Sequence, residues 1–144
     1  MKHFLMMMGA CLLLMGCELH SSDNGDLDGF WQLCQVESMA TGEVTDMRES
    51  QQNWSVQGDL LVVRYKYSTN VPEVIFRFRH EGNLLTIYDP YISNRDEGDV
   101  KIEDETLLYE LNIYHLEEKY VVLELDGDRM TLESEDVRLY FRRY

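Results

Sequence analysis

The chain has 144 residues, of which 44% are hydrophobic and 28% are charged, and this balance is typical of one folded domain. Its 9 glycines and 2 prolines are too few for a collagenous or low-complexity chain. The 27 acidic residues outnumber the 13 basic ones, and the net charge of -14 opposes binding to nucleic acid or to an anionic membrane surface.

Residues 1–16 have the pattern of an export signal rather than of a folded element. Lys2 precedes the apolar run 4–15, which is well short of the roughly 20 residues of a membrane-spanning helix. The run ends in Leu14-Met15-Gly16-Cys17, which resembles the lipobox of bacterial lipoproteins. This resemblance implies removal of residues 1–16, lipidation of Cys17 and anchorage in the bacterial cell envelope, at the outer membrane. Cys11 is the competing lipidation site, but the apolar run before it would be too short for an export signal.

Residues 17–28 are polar and acidic, without an apolar pattern, and predict a lipidated flexible tether. The tether contains Asn24, Asp26 and Asp28, whose spacing mimics the first half of a calcium loop. The twelfth position of such a loop should be a bidentate glutamate, but here it is Gln35, so chance explains the match better.

The remaining chain offers little metal or disulfide chemistry. With Cys17 lipidated, Cys34 is the only thiol of the mature chain, which excludes an intrachain disulfide. No pair of histidines or cysteines has zinc spacing. We therefore expect no metal site and no other cofactor.

From Gly29 onward, apolar and polar residues alternate in short segments separated by turn signals, which predicts antiparallel strands. A two-residue turn at Gly58-Asp59 sets Trp54 opposite Val63, so that the apolar residues of both strands share one face. A later segment places Val74, Phe76, Phe78 and His80 on one face.

Two further turns extend this pattern to the end of the chain. Asp126-Gly127 is a strong hairpin signal that predicts Leu123 opposite Met130 and Val121 opposite Leu132. A turn at Glu135-Asp136 predicts Leu132 opposite Leu139. The last three strands are therefore expected to form a meander.

Between these segments, residues 90–105 are acidic and predict a long solvated loop. Leu107, Leu108 and Leu111 have helical spacing, which predicts a short helix around residues 104–111. The sum is an all-β fold over residues 29–144, with about eight strands and one short helix.

The two ends of this region resemble lipocalins. Gly29-Phe30-Trp31 is similar to the Gly-x-Trp motif that opens lipocalin barrels, and the closing strand 137–144 resembles the ending of small lipocalin-like bacterial lipoproteins. The resemblance implies an antiparallel up-and-down eight-stranded barrel whose closed end carries Gly29, Trp31 and a basic residue of the last strand. Arg143 is the candidate partner of Trp31, and Arg142 is the alternative if the last strand is bulged. The Thr-Asp motif that many lipocalins carry late in the barrel is absent.

Lipocalin-like barrels bind small apolar or amphipathic molecules in a calyx, which implies the same role here. The candidate ligand-binding residues share the predicted inward face of the central strands: Trp54, Tyr65, Tyr67, Phe76, Phe78 and His80. The same side chains could instead fill an eight-stranded barrel. A buried hydroxyl or imidazole needs a partner, which favours a pocket.

The alternative function is a filled barrel that acts through its outer surface, as an accessory subunit or a protease inhibitor. The loops 38–50 and 90–105 and an outward basic stripe are the candidate surfaces. The stripe consists of Arg64, Lys66, Arg77 and Arg79, and it is either a solvated face or a docking patch. No nucleophile elbow, phosphate loop or paired catalytic carboxylates appear, so we do not expect an enzyme.

Overall fold

Ten strands and three short 3-10 helices make up residues 24–144, the part of the chain that the computed structural model describes. The strands are β1 Gly29–Ser38, β2 Val44–Asp46, β3 Gln52–Gln57, β4 Leu60–Tyr65, β5 Val74–Glu81, β6 Leu84–Ile92, β7 Val100–Lys101, β8 Glu118–Leu125, β9 Arg129–Glu133 and β10 Val137–Arg143. The 3-10 helices are Gly25–Leu27, Arg48–Ser50 and Glu105–Leu111.

Eight of the strands form a closed antiparallel barrel, as predicted. The order around the barrel is β1-β3-β4-β5-β6-β8-β9-β10, and β10 pairs with β1 to close it. The short strands β2 and β7 pair with β1 and β6 outside this circuit. Closure leaves none of the eight strands with a free edge.

Two of the predicted hairpins have the expected register. In the β3–β4 hairpin, Trp54 lies opposite Val63, and Gly58 in the turn has the positive φ of 62° that glycine adopts without strain. In the β9–β10 hairpin, Leu132 lies opposite Leu139. Trp54, Leu61, Val63, Leu132 and Leu139 consequently face the barrel interior, where all five are buried.

The predicted register of the β8–β9 hairpin is wrong, because β8 contains a bulge between Val122 and Glu124. Val122, rather than Val121, lies opposite Leu132. Leu123 is 50% exposed, so it belongs to the outer surface. An extra residue in one strand shifts every side chain beyond it to the other face, which period-two reasoning does not anticipate.

The acidic segment 90–105 is only partly a loop. β6 continues through Pro90 to Ile92, and β7 pairs with its end. The helix predicted around residues 104–111 is present as the 3-10 helix Glu105–Leu111, and the Asp104 side chain accepts a hydrogen bond from the Thr106 N–H at its start.

Each end of the barrel is covered by a short segment. At one end, the 3-10 turn Gly25–Leu27 packs under the strands with Leu27 buried, so the last residues of the expected tether belong to the packed fold. At the other end lies a segment that we call the lid, residues 102–113. Its inward side chains are fully buried or nearly so: Ile102, Leu108, Leu111 and Ile113.

The signal peptide, Cys17 and most of the predicted tether lie outside the described residues. Within residues 24–144, no helix has the length and apolar character of a membrane span.

Candidate functional site

The closed end of the barrel is built around Trp31 and Arg143. The Arg143 guanidinium lies over the Trp31 ring, with Cζ 4.2 Å from the ring centroid, which is a cation–π contact. Its nitrogens also donate to the backbone carbonyls of Asp26, Asp28 and Gly127, at 2.6 Å for Gly127. These contacts fix the last strand against the turn that precedes the first strand.

Gly29 leaves room for this guanidinium. Its φ is +121°, and a Cβ at this position would lie 2.5 Å from Arg143 Nη1. Arg142, the alternative partner of Trp31, is exposed and donates from Nε to Gln32 Oε1 at 2.7 Å. Of the two arginines, Arg143 therefore covers the tryptophan.

Asn24, Asp26 and Asp28, the residues with calcium-loop spacing, also serve this end of the barrel. Asn24 Nδ2 donates to Asp28 Oδ1 at 2.7 Å, while the carbonyls of Asp26 and Asp28 accept from Arg143. These contacts give the three residues a structural role in closing the barrel.

The predicted ligand-binding residues divide between the barrel interior and its rim. Trp54 and Phe76 are fully buried among the core side chains. Phe78 and His80 lie on the inward face of β5 toward the closed end, and both are partly exposed. Tyr65 is half-buried at the lid end, where its hydroxyl donates to the Glu110 carbonyl at 2.7 Å.

Tyr67 does not line the interior, contrary to the prediction. β4 ends at Tyr65, and Tyr67 follows it in a loop with 76% of its surface exposed. Lys66 Nζ lies 5.1 Å from the centroid of its ring. The alternation of side chains holds only within a strand, so it fails beyond the end of β4.

Tyr120 is a fully buried residue that the sequence did not single out. Its ring meets that of Trp54 edge to face, with centroids 5.8 Å apart, and the centroid of the Phe141 ring lies 4.9 Å from that of Trp54. Burial, followed by the charge of Glu118, raises the pKa of the Tyr120 hydroxyl well above its ordinary value. The bulge in β8 concealed this residue, because it reversed the face assigned to Val121.

Three buried polar atoms of the interior have no hydrogen-bond partner among the described residues: Gln52 Oε1, Trp54 Nε1 and Tyr120 Oη. Gln52 uses its other polar atom, Nε2, to donate to the Leu111 carbonyl of the lid at 2.9 Å. The set therefore extends from the underside of the lid to the aromatic centre of the barrel. It combines an acceptor, a donor and a hydroxyl that can do either.

The lid is attached to the barrel by a few specific contacts. Gln52 and Tyr65 each donate a side-chain hydrogen bond to a lid carbonyl. Burial, and then the Glu110 carboxylate, raises the pKa of the Tyr65 hydroxyl, which therefore remains a donor at neutral pH. The 3-10 helix of the lid ends at Leu111, and Asn112 after it has the left-handed φ of 61°.

The outer surface carries clefts that open to solvent. One of about 650 Å³ is lined by Leu60, Tyr88 and Tyr91, and another of about 600 Å³ is lined by Cys34, Arg129 and other residues. The free thiol of Cys34 is partly exposed there.

The four residues of the predicted basic stripe are all exposed. Arg79 pairs with Glu117 at 3.3 Å and lies over the ring of Tyr88 at 4.5 Å. These contacts fit a solvated face.

A cluster of titratable groups lies at the rim beside the lid. His115 follows the lid, Glu118 begins β8 and Asp136 lies in the turn between β9 and β10. One ligand atom from each of the three side chains lies within 4.8 Å of the other two. Partial burial opposes protonation of His115, but the carboxylates of Glu118, Asp136 and Glu105 raise its pKa.

Comparison with known proteins agrees with this architecture. A crystal structure of a lipocalin-like protein from Bacteroides uniformis superimposes with a TM-score of 0.62 at 18% identity, covering 83% of this chain and 100% of that one. An uncharacterized protein from Bacteroides eggerthii superimposes with a TM-score of 0.57, also at 18% identity, covering 82% of this chain and 99% of that one. A search of curated proteins found no match.

The model of the lipocalin-like domain family matches residues 12–144, which is nearly the whole chain. The closed eight-stranded barrel and the Trp31–Arg143 contact at its base accompany this match. The chain therefore belongs to the lipocalin-like domain family.

Proposed function

We propose that this protein is a non-catalytic binding protein of the bacterial cell envelope, anchored by a lipid on Cys17, which takes up a small amphipathic molecule inside the barrel beneath the lid. The family and the fold support a ligand-binding barrel. The lipobox-like sequence Leu14-Met15-Gly16-Cys17 supports the anchor and the location.

The unpartnered atoms of Gln52, Trp54 and Tyr120 carry the proposal. A buried donor or acceptor without a hydrogen bond costs roughly 1–3 kcal/mol, and protein interiors rarely retain several of them close together. Here they lie among apolar side chains, from the underside of the lid to the aromatic centre of the barrel. A ligand with an apolar body and one polar group, such as a hydroxyl or an amide, would satisfy them.

Binding requires the lid to move, because the inward side chains fill the barrel when the lid is closed. Trp54, Phe76 and Tyr120 are each inaccessible to solvent. The lid buries four apolar side chains, but it is a single 3-10 helix flanked by loops, and it forms no ladder with the barrel strands. Segments of this kind open at a lower free energy than the strands that they cover.

A filled barrel that acts through its outer surface is the second candidate function. The burial of Trp54, Phe76 and Tyr120 favours it, and so does a mostly apolar row on the outside of the barrel. The row contains Phe30 on β1, Val62 on β4, Ile75 on β5 and Tyr91 on β6, with Ser55 of β3 between the first two and with Phe30 58% exposed. Exposed apolar surface of this kind is typical of protein contacts.

Native mass spectrometry distinguishes the two functions. Residues 22–144, which retain the whole barrel, are purified and compared before and after denaturation, and the extract is examined for small molecules. The proposal predicts a discrete adduct that is released on denaturation. A mass equal to that of the bare chain, unchanged by a panel of lipids and apolar metabolites, would instead favour the filled barrel.

Matched tyrosine variants locate the site. Tyr120→Phe keeps the ring but removes the hydroxyl, and it should weaken ligand binding about tenfold, which corresponds to one hydrogen bond. Tyr67→Phe makes the same chemical change on an exposed residue and should leave the affinity unchanged. Equal affinities for both variants would place the ligand outside the barrel interior.

A further inference from the structure

The rim cluster has the composition and spacing of a metal site. His115 Nε2 lies 3.3 Å from Asp136 Oδ2. Two atoms bound to one Zn²⁺ at 2.0–2.1 Å in tetrahedral geometry are separated by about 3.4 Å. Glu118 completes the triad, and the three ligand atoms all lie within 4.8 Å of one another. Because His115 and Asp136 are both partly exposed, their side chains can move by the small distance that brings all three ligand atoms to one ion.

The second nitrogen of His115 is oriented by a carboxylate. His115 Nδ1 lies 3.5 Å from Glu105 Oε2, on the lid side of the ring. In metal sites, the histidine ligand commonly directs its other ring nitrogen to a carboxylate, which fixes the tautomer and the orientation of the ring. Glu105 therefore leaves Nε2 as the nitrogen that faces Asp136 and is free to coordinate.

The third ligand is a buried carboxylate whose charged neighbour is His115 rather than a Lys or Arg. Glu118 is buried, and its Oε2 accepts from the Tyr114 N–H at 3.1 Å. No Lys or Arg pairs with Glu118 or Asp136 among residues 24–144. The fully buried hydroxyl of Tyr120, two residues beyond Glu118, lacks a hydrogen-bond partner among the same residues. Asp136 Oδ2 has its ionic contact with His115 Nε2. A cation between these groups would compensate the buried charge.

We propose that His115, Glu118 and Asp136 bind a divalent transition-metal ion, with Glu105 as the residue that positions His115. One imidazole and two carboxylates form a three-ligand set of the kind that binds Zn²⁺ with a water in the fourth position. The ligands come from the segment after the lid, from β8 and from the β9–β10 turn. A bound ion links these elements, and through Glu105 it holds the start of the lid helix against the barrel.

Zinc titration of the full-length protein in detergent, after removal of metal by a chelator, tests the proposal. Isothermal titration calorimetry should give one Zn²⁺ per chain. His115→Gln and Asp136→Asn should each weaken binding more than a hundredfold, and Glu105→Gln should weaken it about 10–100-fold, as expected for a residue behind the ligand. Co²⁺ at the same site should give visible absorption bands that His115→Gln abolishes.

Two control variants separate this site from a general effect of surface charge and from binding at the free thiol. Glu135→Gln removes the same charge as Asp136→Asn from the adjacent exposed position, and it should leave the zinc affinity unchanged. Cys34→Ser removes the thiol and should also have no effect. The proposal is overturned if His115→Gln binds zinc like the wild type, if Glu135→Gln weakens binding as much as Asp136→Asn, or if Mg²⁺ competes equally with Zn²⁺. Glu118→Gln does not serve as a test, because Glu118 is buried and its replacement would combine a folding defect with a binding defect.

Discussion

Replacing Arg143 with alanine removes the contacts that close the base of the barrel. The cation–π contact with Trp31 contributes about 1 kcal/mol. The hydrogen bonds to three backbone carbonyls contribute about 0.5–1 kcal/mol each, after allowance for the partial exposure of the side chain. We therefore expect Arg143→Ala to lower the free energy of unfolding by about 3 kcal/mol, which for a barrel of this size lowers Tm by about 10 °C.

Urea denaturation followed by tryptophan fluorescence measures this loss, and circular dichroism provides an independent probe of it. Arg143→Lys keeps the charge but not the planar fork of donors, so it should lose about half as much stability. Arg64→Ala, at an exposed position on β4, is the matched control and should change stability by less than about 0.5 kcal/mol. A loss below about 1 kcal/mol for Arg143→Ala, or equal losses for the two alanine variants, would refute the reasoning.

Three other predictions concern the base, the lid and the bulge. Gly29→Ala should lower the free energy of unfolding by about 2–4 kcal/mol, because Gly29 has a positive φ and the new Cβ would clash with Arg143. The loss should be clearly smaller in the Arg143→Ala background, and a double-mutant cycle measures this difference. Tyr65→Phe should speed amide hydrogen exchange in the lid. Because the pKa of Tyr65 is raised in the folded protein, its contribution to stability is complete below about pH 10 and is lost as the pH rises through the folded pKa. At alkaline pH, the stability of Tyr65→Phe should therefore fall less than that of the wild type. Leu132→Ala should cost about 2–5 kcal/mol, whereas Leu123→Ala should cost less than about 0.5 kcal/mol; equal costs would contradict the bulge.

The barrel could be predicted from the sequence because its strongest signals are local. The turn at Gly58-Asp59 fixes the register of one hairpin, and the turn at Glu135-Asp136 fixes that of another. In both hairpins, a register shifted by one residue would place apolar side chains in water. The alternation of apolar residues and the position of the turn therefore predict the same register. The partner of Trp31 followed from the resemblance to lipocalins, which implies a basic residue of the last strand over this ring, and from the pairing of the first and last strands.

The errors arise where local periodicity ends. The bulge after Val122 has no sequence signature that alternation detects, and it concealed Tyr120 while it exposed Leu123. Tyr67 continues the alternation of β4 but lies beyond the point where the strand stops.

The rim cluster could not be predicted because its members are distant in sequence. Asp136 is 21 positions from His115 and reaches it only through the fold of the meander. Metal-site spacing rules depend on ligands within one turn or helix, so they do not detect a site that three separate elements assemble.

The chain enters the barrel at its base, which is the end opposite the lid. Asn24 donates from its side chain to the carbonyl of Gly58, at the base of β3, whereas Gln52, at the opposite end of β3, holds the lid. At about 3.3 Å per residue, these two points are about 20 Å apart. Everything before Asn24, including the proposed lipid on Cys17, therefore joins the barrel at its base. The anchor proposed on Cys17 would place the base nearest the membrane, and the proposed ligand would then enter from the surrounding fluid rather than from the bilayer.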